Sequence, residues 1–472
     1  MKTIRIMALA ALATGCAAAP ERQEARSKGG PNIIFILADD LGYGELGCYG
    51  QKKIQTPSID RLASQGMKFT NAYSGNAVCA PSRCVLMTGL HAGHAWVRDN
   101  RTYGHEGQTP LPASTVTAAK LLQSAGYATG AMGKWGLGGP GTGGDPNRQG
   151  FDLFYGFNCQ GHAHNHYPSY LWRNDQRVDQ PGNDGTYSGR TYSHDQFEKE
   201  ALGFIEAHKN GPFFLYLPFT VPHVALQVPA DSLEPYKDWE ETPYWGAKGY
   251  MPHPRPRAAH AGMITRMDRS VGRILDLVAK LGLDDNTIVF FSSDNGSIDG
   301  AGGHDLRFFE ANGPLRGQKG TLYEGGIRVP FIARWTGKIK AGTTSDVPLM
   351  FCDVLPTLCD LAKISGPPGI DGVSVVPTLL EGRAPAREFL YWEYPSGGGH
   401  QAVRMGSWKG IRTDLLKGPA PTQLYDLATD VGETKNVAAA NPEIVAKIEQ
   451  IMSANHRRSD LFPIKGLDGA GK

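Results

Sequence analysis

Two continuous apolar runs restrict the fold more than any other feature of this 472-residue chain. Residues 32–37 read NIIFIL and residues 286–291 read NTIVFF. Apolar runs of this length are typical of strands buried on both faces of a parallel sheet. Each run is soon followed by two side chains with oxygen donors: Asp39 and Asp40 after the first, Asp294 and Asn295 after the second. Because the carboxyl ends of parallel strands meet at one edge, where ligands bind, we expect these four side chains together.

The predicted cluster of carboxylate and amide oxygens suits a hard divalent cation. The number of donors favours one calcium ion over magnesium, which keeps more of its water. The alternative is that both pairs are solvated turns at strand ends, but the repeated pattern favours a shared cation. The sequence therefore predicts one Ca²⁺ bound by the four residues Asp39, Asp40, Asp294 and Asn295.

The segment CAPSR, residues 79–83, is the predicted reactive centre. Pro81 suits the first turn of a helix, and the apolar segment that follows ends at Gly89. Cys79 is therefore expected at a helix N-terminus, where free N–H groups favour an anionic substrate or a thiolate. The alternative is a small apolar cysteine packed beside a helix cap.

The spacing C-x-P-x-R in residues 79–83 resembles the motif of type I sulfatases, the formylglycine-dependent, arylsulfatase-like enzymes of the alkaline phosphatase superfamily. In that family the cysteine is oxidised after translation to formylglycine. Both oxygen-donor pairs match the family pattern, which implies that the residue derived from Cys79 also contacts the calcium. The resemblance covers residues 31–455 and implies a sulfuric ester hydrolase that cleaves sulfate monoesters.

The resemblance also implies roles for four basic residues. Arg83 and the calcium would favour the ionised formylglycine hydrate, which attacks sulfur. Lys134 and Lys319 match the family lysines that contact the sulfate, and His223 matches the histidine at the ester oxygen. In the implied reaction the hydrate takes the sulfuryl group as the alcohol leaves, and its second hydroxyl then expels sulfate.

The chain departs from the commonest family pattern two residues after the first lysine, where Gly136 replaces a histidine. Relatives with this glycine share a segment similar to Ala163-His164-Asn165, so His164 is the predicted replacement base. The alternative is that the loop histidines bind substrate hydroxyls or only pack. A structural zinc site that uses His162, His164 and His166 is a further alternative.

The termini and the composition indicate the location of the protein and the partners it is expected to have. Charges balance closely, with 48 basic and 46 acidic residues, so we expect no nucleic-acid partner. We predict the following divisions: a signal peptide with a lipobox at 1–16, a flexible tether at 17–30, a catalytic domain at 31–380 and a C-terminal subdomain at 381–472. We expect the protein to be exported in a bacterium, either to the periplasm or, with a lipid on Cys16, as a lipoprotein anchored to the outer membrane.

The expected fold class is α/β. The resemblance implies a large mixed, mostly parallel sheet between helices, of the alkaline phosphatase type. A small antiparallel sheet with one helix is expected near the C-terminus. The apolar patterns predict the main helices at residues 114–124, with a Ser114 cap, and at 192–209, 261–281 and 442–452.

The expected substrate is a sulfated polysaccharide or a glycosaminoglycan-like oligosaccharide, for example a galactose or N-acetylgalactosamine sulfate. Aromatic and polar residues of the loops are the candidates for the substrate pocket: Arg98, Asn100, Trp172, Arg173 and His304. The maturation partner that the resemblance implies is a formylglycine-generating enzyme. Two other functions stay open, which are a phosphodiesterase or phosphonate hydrolase of the same superfamily and a non-catalytic glycan-binding lipoprotein.

Overall fold

The computed structural model of the protein describes residues 30–104, 106–246 and 249–469. The predicted signal peptide and nearly all of the predicted tether lie outside the described residues. Sixteen strands occur in the described part of the chain: β1 (Asn32–Ala38), β2 (Met67–Phe69), β3 (Ala72–Tyr73), β4 (Ala128–Lys134), β5 (Leu153–Phe157), β6 (Tyr170–Arg173), β7 (Gln176–Asp179), β8 (Phe213–Pro218), β9 (Thr287–Ser293), β10 (Phe331–Trp335), β11 (Thr343–Ser345), β12 (Leu349–Met350), β13 (Leu390–Tyr394), β14 (His400–Met405), β15 (Trp408–Arg412) and β16 (Gln423–Asp426).

Eleven α-helices occur in the same described part: α1 (Pro57–Ser64), α2 (Cys79–Thr88), α3 (Ala118–Ser124), α4 (Ser193–His208), α5 (Pro256–Lys280), α6 (Leu306–Phe309), α7 (Glu324–Ile327), α8 (Val354–Ala362), α9 (Val376–Glu381), α10 (Pro442–Asn455) and α11 (Lys465–Asp468). No described helix has both the length and the apolar content needed to cross a membrane.

The main sheet has ten strands in the order β11-β2-β10-β9-β1-β8-β4-β5-β6-β7. Its five central strands, from β9 to β5, run parallel, and an antiparallel strand follows on each side, β10 beside β9 and β6 beside β5. Both predicted apolar runs are central neighbours, with Ile34 of β1 opposite Val289 of β9. The predicted mixed, mostly parallel sheet is confirmed.

Side chains alternate between two buried cores on either face of this sheet. Ile33 and Phe35 of β1 pack with α2, α3 and α8, whereas Ile34 and Ile36 pack with α1, α4 and α5. All four side chains are fully buried, which accounts for the continuous apolar run, because neither face of the strand meets water. Burying one such side chain contributes roughly 1.5–3 kcal/mol.

A separate antiparallel sheet has the strand order β13-β14-β15-β16, and α10 packs against it. One face of this sheet shares the core of the large sheet through Trp392 and Ile411, and the other contacts Ile448 and Met452 of α10. The predicted small C-terminal sheet with one helix is confirmed.

Two predicted helix starts are wrong, and each has a local cause. The helix predicted from Ser114 begins at Ala118, because Thr117 is the N-cap and its side chain accepts a hydrogen bond from Lys120 N. The helix predicted from residue 261 begins earlier, with Pro256 in its first turn. That extra turn places His260 inside α5, in a buried position.

Candidate functional site

The four predicted oxygen donors meet at the carboxyl edge of β1 and β9, and all four are buried. Asn295 Nδ2 donates a hydrogen bond to Asp40 Oδ1 at 2.7 Å, and Asp40 N donates to Asp294 Oδ1 at 3.2 Å. Asp40 adopts a left-handed backbone conformation with φ of 64°, which is uncommon for a residue other than glycine. Strained backbone of this kind concentrates at functional sites, where the surrounding structure maintains it.

Cys79 is the first residue of α2, and its thiol points at this cluster. Sγ lies 3.4 Å from Asp39 Oδ1, and the side chain is fully buried. At the same helix end, Ala80 N donates a hydrogen bond to Asn100 Oδ1 at 2.9 Å. The predicted helix N-terminus is therefore present, with one of its free N–H groups satisfied by a side chain from a neighbouring loop.

Arg83 lies one helical turn after Cys79 and joins α2 to the ends of β4 and β9. Its Nη2 donates to Asp294 Oδ2 at 2.7 Å, its Nε contacts the same oxygen at 3.1 Å, and its Nη1 binds the Lys134 carbonyl. The guanidinium is fully buried, so these charge-assisted bonds compensate for the water it has lost. Arg83 thus fixes how α2 sits over the ends of β4 and β9.

Two lysines and a histidine complete the cluster. Lys134 Nζ donates to Asp39 Oδ2 at 2.6 Å, and Lys319 Nζ lies 2.7 Å from the Asp40 carboxylate. The second lysine also lies 3.1 Å from His223 Nε2. Lys134 is the last residue of β4 and fully buried, so its charge is a part of the site and not a solvated loop charge.

The packing of so many charges shifts their pKa values. Burial opposes the ionisation of Asp39, but the charge of Lys134 and, less strongly, of His223 and Arg83 holds its pKa well below the usual range. Burial and then the charge of Asp39 raise the pKa of Asp294 to about 6, against the opposing effect of Arg83. Burial, followed by the negative charge of Asp39, raises the pKa of the Cys79 thiol to about 12.

The donor set fits a hard cation. Three carboxylates and one amide converge, and Asn295 Oδ1 is buried without a hydrogen-bond partner among the described residues. A buried amide oxygen that lacks a protein donor is the atom a cation would coordinate. The structure therefore has a buried acidic cluster that can hold a metal ion, with Asp39, Asp40 and Cys79 in reach of one another.

His164 lies on the His223 side of the site. The two imidazole rings stack with centroids 4.7 Å apart and an interplanar angle of 12°, and Tyr250 packs on both. Burial and the charge of His223 lower the pKa of His164 to about 2. The structure thus brings His164 to the site, next to the imidazole expected at the ester oxygen.

Gln160, and not a histidine, occupies the space beside Gly136. A Cβ atom on Gly136 would lie 2.5 Å from Gln160 Nε2. The carboxamides of Gln160 and Asn158 are both buried, and none of their side-chain nitrogens and oxygens has a partner within the described residues. Neither residue was predicted from the sequence, although both stand in the aromatic-rich segment 149–174 that also contains His162, His164 and His166.

The other two histidines of that segment have separate partners. His166 Nε2 contacts the His223 carbonyl at 2.9 Å, and its Nδ1 lies 3.3 Å from Thr220 Oγ1. The His162 ring packs against Phe157 and Tyr170. These contacts assign the three imidazoles to three different environments and do not favour the structural zinc alternative.

The predicted substrate residues are spread over several places. Arg98 is buried and pairs with Glu393, while Arg173 pairs with Glu200. Trp172 Nε1 donates to Glu106 at 2.8 Å. Asn100 contacts the start of α2, as described above, and His304 is buried beside Glu45. Of these five candidate substrate residues, Asn100 is the one with a described hydrogen bond to α2.

Comparisons with known proteins agree with this geometry. The sulfatase family model matches residues 31–364, and a model for the C-terminal part of N-sulphoglucosamine sulphohydrolase matches residues 317–458. The N-acetylgalactosamine-6-O-sulfatase of Bacteroides thetaiotaomicron is 31% identical, over 94% of this chain and 96% of the relative. The human N-acetylgalactosamine-6-sulfatase is 32% identical, over 77% of this chain and 68% of the relative.

A solved structure gives the same result at the level of the fold. The crystal structure of Ps i-CgsB in complex with k-i-k-neocarrahexaose superposes with a TM-score of 0.78 at 28% identity. The match covers 91% of this chain and 94% of the other. The chain belongs to the type I sulfatases of the alkaline phosphatase superfamily and is a sulfuric ester hydrolase.

Proposed function

We propose that this sulfatase removes sulfate from sugars of a sulfated polysaccharide or glycosaminoglycan-like oligosaccharide, using formylglycine derived from Cys79 and one calcium ion. The observation that supports the proposal best is the position of Cys79. Its side chain leaves the N-terminus of α2 and meets Asp39 at 3.4 Å, with Arg83 one turn behind it. A side chain placed there faces both the metal ligands and the anion-binding end of a helix.

The metal would be held by Asp39, Asp40, Asp294 and Asn295, with the residue at position 79 beside it. When present, formylglycine supplies the hydrated nucleophile and calcium the positive charge that favours its ionisation. Arg83 orients the first turn of α2 through Asp294 and the Lys134 carbonyl. Its buried charge adds to the positive potential at the position of attack.

The two lysines bind the sulfuryl group. In the structure each ammonium contacts a metal-ligand carboxylate, Lys134 on Asp39 and Lys319 on Asp40. A sulfate ester between them would take up these donors, and their charges would stabilise the charge on the sulfuryl oxygens. We propose that His223 Nε2, which lies beside Lys319, gives a proton to the departing sugar oxygen.

The sugar is proposed to be galactose or N-acetylgalactosamine. The relatives from Bacteroides thetaiotaomicron and human are named for N-acetylgalactosamine-6-sulfate, and Ps i-CgsB was crystallised with a neocarrahexaose. These names support a galacto-configured sulfated sugar.

The decisive experiment is a panel of defined substrates assayed for released sulfate by the matured protein. The panel holds 6-sulfated and 4-sulfated N-acetylgalactosamine, sulfated galactose, 6-sulfated glucosamine, an aryl sulfate, an aryl phosphodiester and an aryl phosphonate. We expect the highest kcat/KM on one of the galacto-configured sulfates. Higher kcat/KM on the phosphodiester or phosphonate than on every sulfate would instead support a phosphate-ester enzyme. Glycan binding without turnover by fully matured protein would support the non-catalytic alternative.

A further inference from the structure

A second group of metal-binding side chains lies behind the first. Glu45 follows β1, His260 is in α5 and His304 lies in the loop after β9, and all three are buried. One ligand atom from each of the three residues lies within 4.8 Å of the other two. Glu45 Oε1 is 2.6 Å from His260 Nε2 and 3.5 Å from His304 Nε2. The shorter distance is that of a hydrogen bond, and ligand atoms around tetrahedral zinc lie about 3.3 Å apart, so bound zinc would replace this hydrogen bond and move the two atoms apart.

The hydrogen bonds outside this cluster orient the ligand atoms inward. Glu45 Oε2 accepts a hydrogen bond from Gly42 N at 2.6 Å, which leaves Oε1 facing the imidazoles. His304 Nδ1 contacts the Ile298 carbonyl, which can only accept, so this nitrogen carries the proton. Metal-bound histidines commonly donate their second N–H to a backbone carbonyl in this way.

The surroundings of His304 Nε2 are unusual for a buried ring nitrogen. It is buried and faces a carboxylate oxygen, yet it makes no hydrogen bond with any described residue. With the proton on Nδ1, a neutral His304 would aim a lone pair at the Glu45 oxygen, which is repulsive. A second proton or a metal ion between the two atoms removes the repulsion.

The surroundings favour a metal that accepts nitrogen ligands. Both imidazoles pack on Phe309, with ring centroids 5.0 and 5.8 Å from it, and on each other at 4.0 Å. Two nitrogens and one carboxylate oxygen in an apolar surrounding suit zinc, whereas calcium prefers oxygen ligands alone. The cluster is therefore chemically distinct from the Asp39–Asn295 site.

We propose that Glu45, His260 and His304 bind one zinc ion, with a water molecule as its fourth ligand. It would join the loop after β1, the loop after β9 and helix α5. The first two loops bear the ligands of the catalytic metal, so zinc would keep them together from behind. The proposal does not depend on the sulfatase mechanism, because it concerns residues outside the catalytic cluster and is tested by metal content.

The test measures bound metal in the purified full-length protein by inductively coupled plasma mass spectrometry. The protein is treated with a chelator, dialysed, and equilibrated with zinc chloride in the presence of excess calcium chloride, which occupies the oxygen site. We expect about one equivalent of zinc per chain to remain after desalting. His304→Gln and His260→Gln are expected to lose this zinc, while the matched control His208→Gln, at the end of α4, keeps it.

Two outcomes would overturn the proposal. One is that the wild-type protein retains no zinc, which would make the cluster a buried ion pair between Glu45 and a protonated His304. The other is that both cluster variants retain as much zinc as the control. If the variants do not fold, the Tm of the wild-type protein is measured with and without zinc in excess calcium. The proposal requires zinc to raise this Tm, and an unchanged Tm would contradict it.

Discussion

At the scale of single residues, Gly136 and Gln160 depend on each other, because the side chain of one occupies space beside the other. Gly136 has φ of +79°, a region that favours glycine, and the Gln160 carboxamide fills the space that a side chain would need. The four buried polar atoms of Gln160 and Asn158 that lack a partner within the described ranges offer both donors and acceptors. Groups of this kind are suited to bind a hydroxyl or an ordered water.

Gly136→Ala is predicted to lower kcat/KM by about tenfold or more, because its Cβ both strains the backbone and displaces Gln160. Gln160→Ala should lower it as well. The loss of transition-state stabilisation in the double variant should be smaller than the sum of the losses in the two single variants. The reason is that removing the Gln160 carboxamide relieves its collision with the new Cβ atom, although the backbone strain at position 136 stays. Steady-state kinetics on one sulfate ester measure all three variants. Strict additivity would show that the two positions do not interact.

His164→Ala is predicted to lower kcat on a small aryl sulfate as much as on a sulfated sugar. The reason is that the predicted base acts when the hydrate expels sulfate, after the alcohol has left, so its loss should slow turnover whatever the leaving group is. His162→Ala is the matched control, since its ring packs on Phe157 and Tyr170 instead. A rise in KM for the sugar alone, with normal aryl sulfate turnover, would move His164 to the substrate pocket.

At the scale of elements, β1 and β9 could be predicted because burial on both faces of each strand leaves a continuous apolar run. The carboxyl-edge position of the four oxygen donors followed from that pattern, whereas the alkaline phosphatase type of fold was implied by the resemblance to type I sulfatases. Helix starts were harder to predict, because Thr117 and Ser114 are both good N-caps and only the packing selects between them. Gln160 was not predicted because a glutamine in a loop is usually exposed, and its burial depends on a glycine 24 positions earlier.

Asn100→Ala is predicted to destabilise the protein by about 1 kcal/mol, as loss of a helix N-terminal hydrogen bond usually does. The bond concerned is the one from Ala80 N to Asn100 Oδ1, next to Cys79. Chemical denaturation followed by circular dichroism measures the change. Asn100→Asp retains the acceptor and should retain more stability than the alanine variant. An unchanged stability with a raised KM would indicate that Asn100 serves the substrate and not the helix.

At the scale of the whole molecule, one buried ion cluster joins the C-terminal sheet to helix α7. Lys409 of β15 contacts both Glu324 and Glu433 at 2.9 Å, and all three side chains are fully buried. Glu433 Oε2 also accepts a hydrogen bond from Glu324 N at 2.7 Å. The three residues are far apart in the chain, so no local pattern could have predicted the cluster. It ties the C-terminal sheet to the helix that follows Lys319, and therefore to the site.

Lys409→Met is predicted to lower the free energy of unfolding by about 3–5 kcal/mol, because it leaves the buried Glu433 carboxylate without its cation and Glu324 with Arg328 alone. Urea unfolding measures the loss, and Lys435→Met, at an exposed position, is the control. A loss as small as that of the control would show that the carboxylates are protonated or hydrated in the folded protein and do not depend on Lys409.

The central claim, that the residue made from Cys79 performs the sulfatase reaction, is tested most directly by mass spectrometry of the tryptic peptide Phe69–Arg83. The same preparations are assayed for sulfate release, after expression in hosts with and without a formylglycine-generating enzyme. We predict that the peptide contains formylglycine only in the first host, and that the rate is proportional to the modified fraction at equal fold and metal content. Full turnover by protein whose Cys79 is entirely an unmodified thiol would contradict the account.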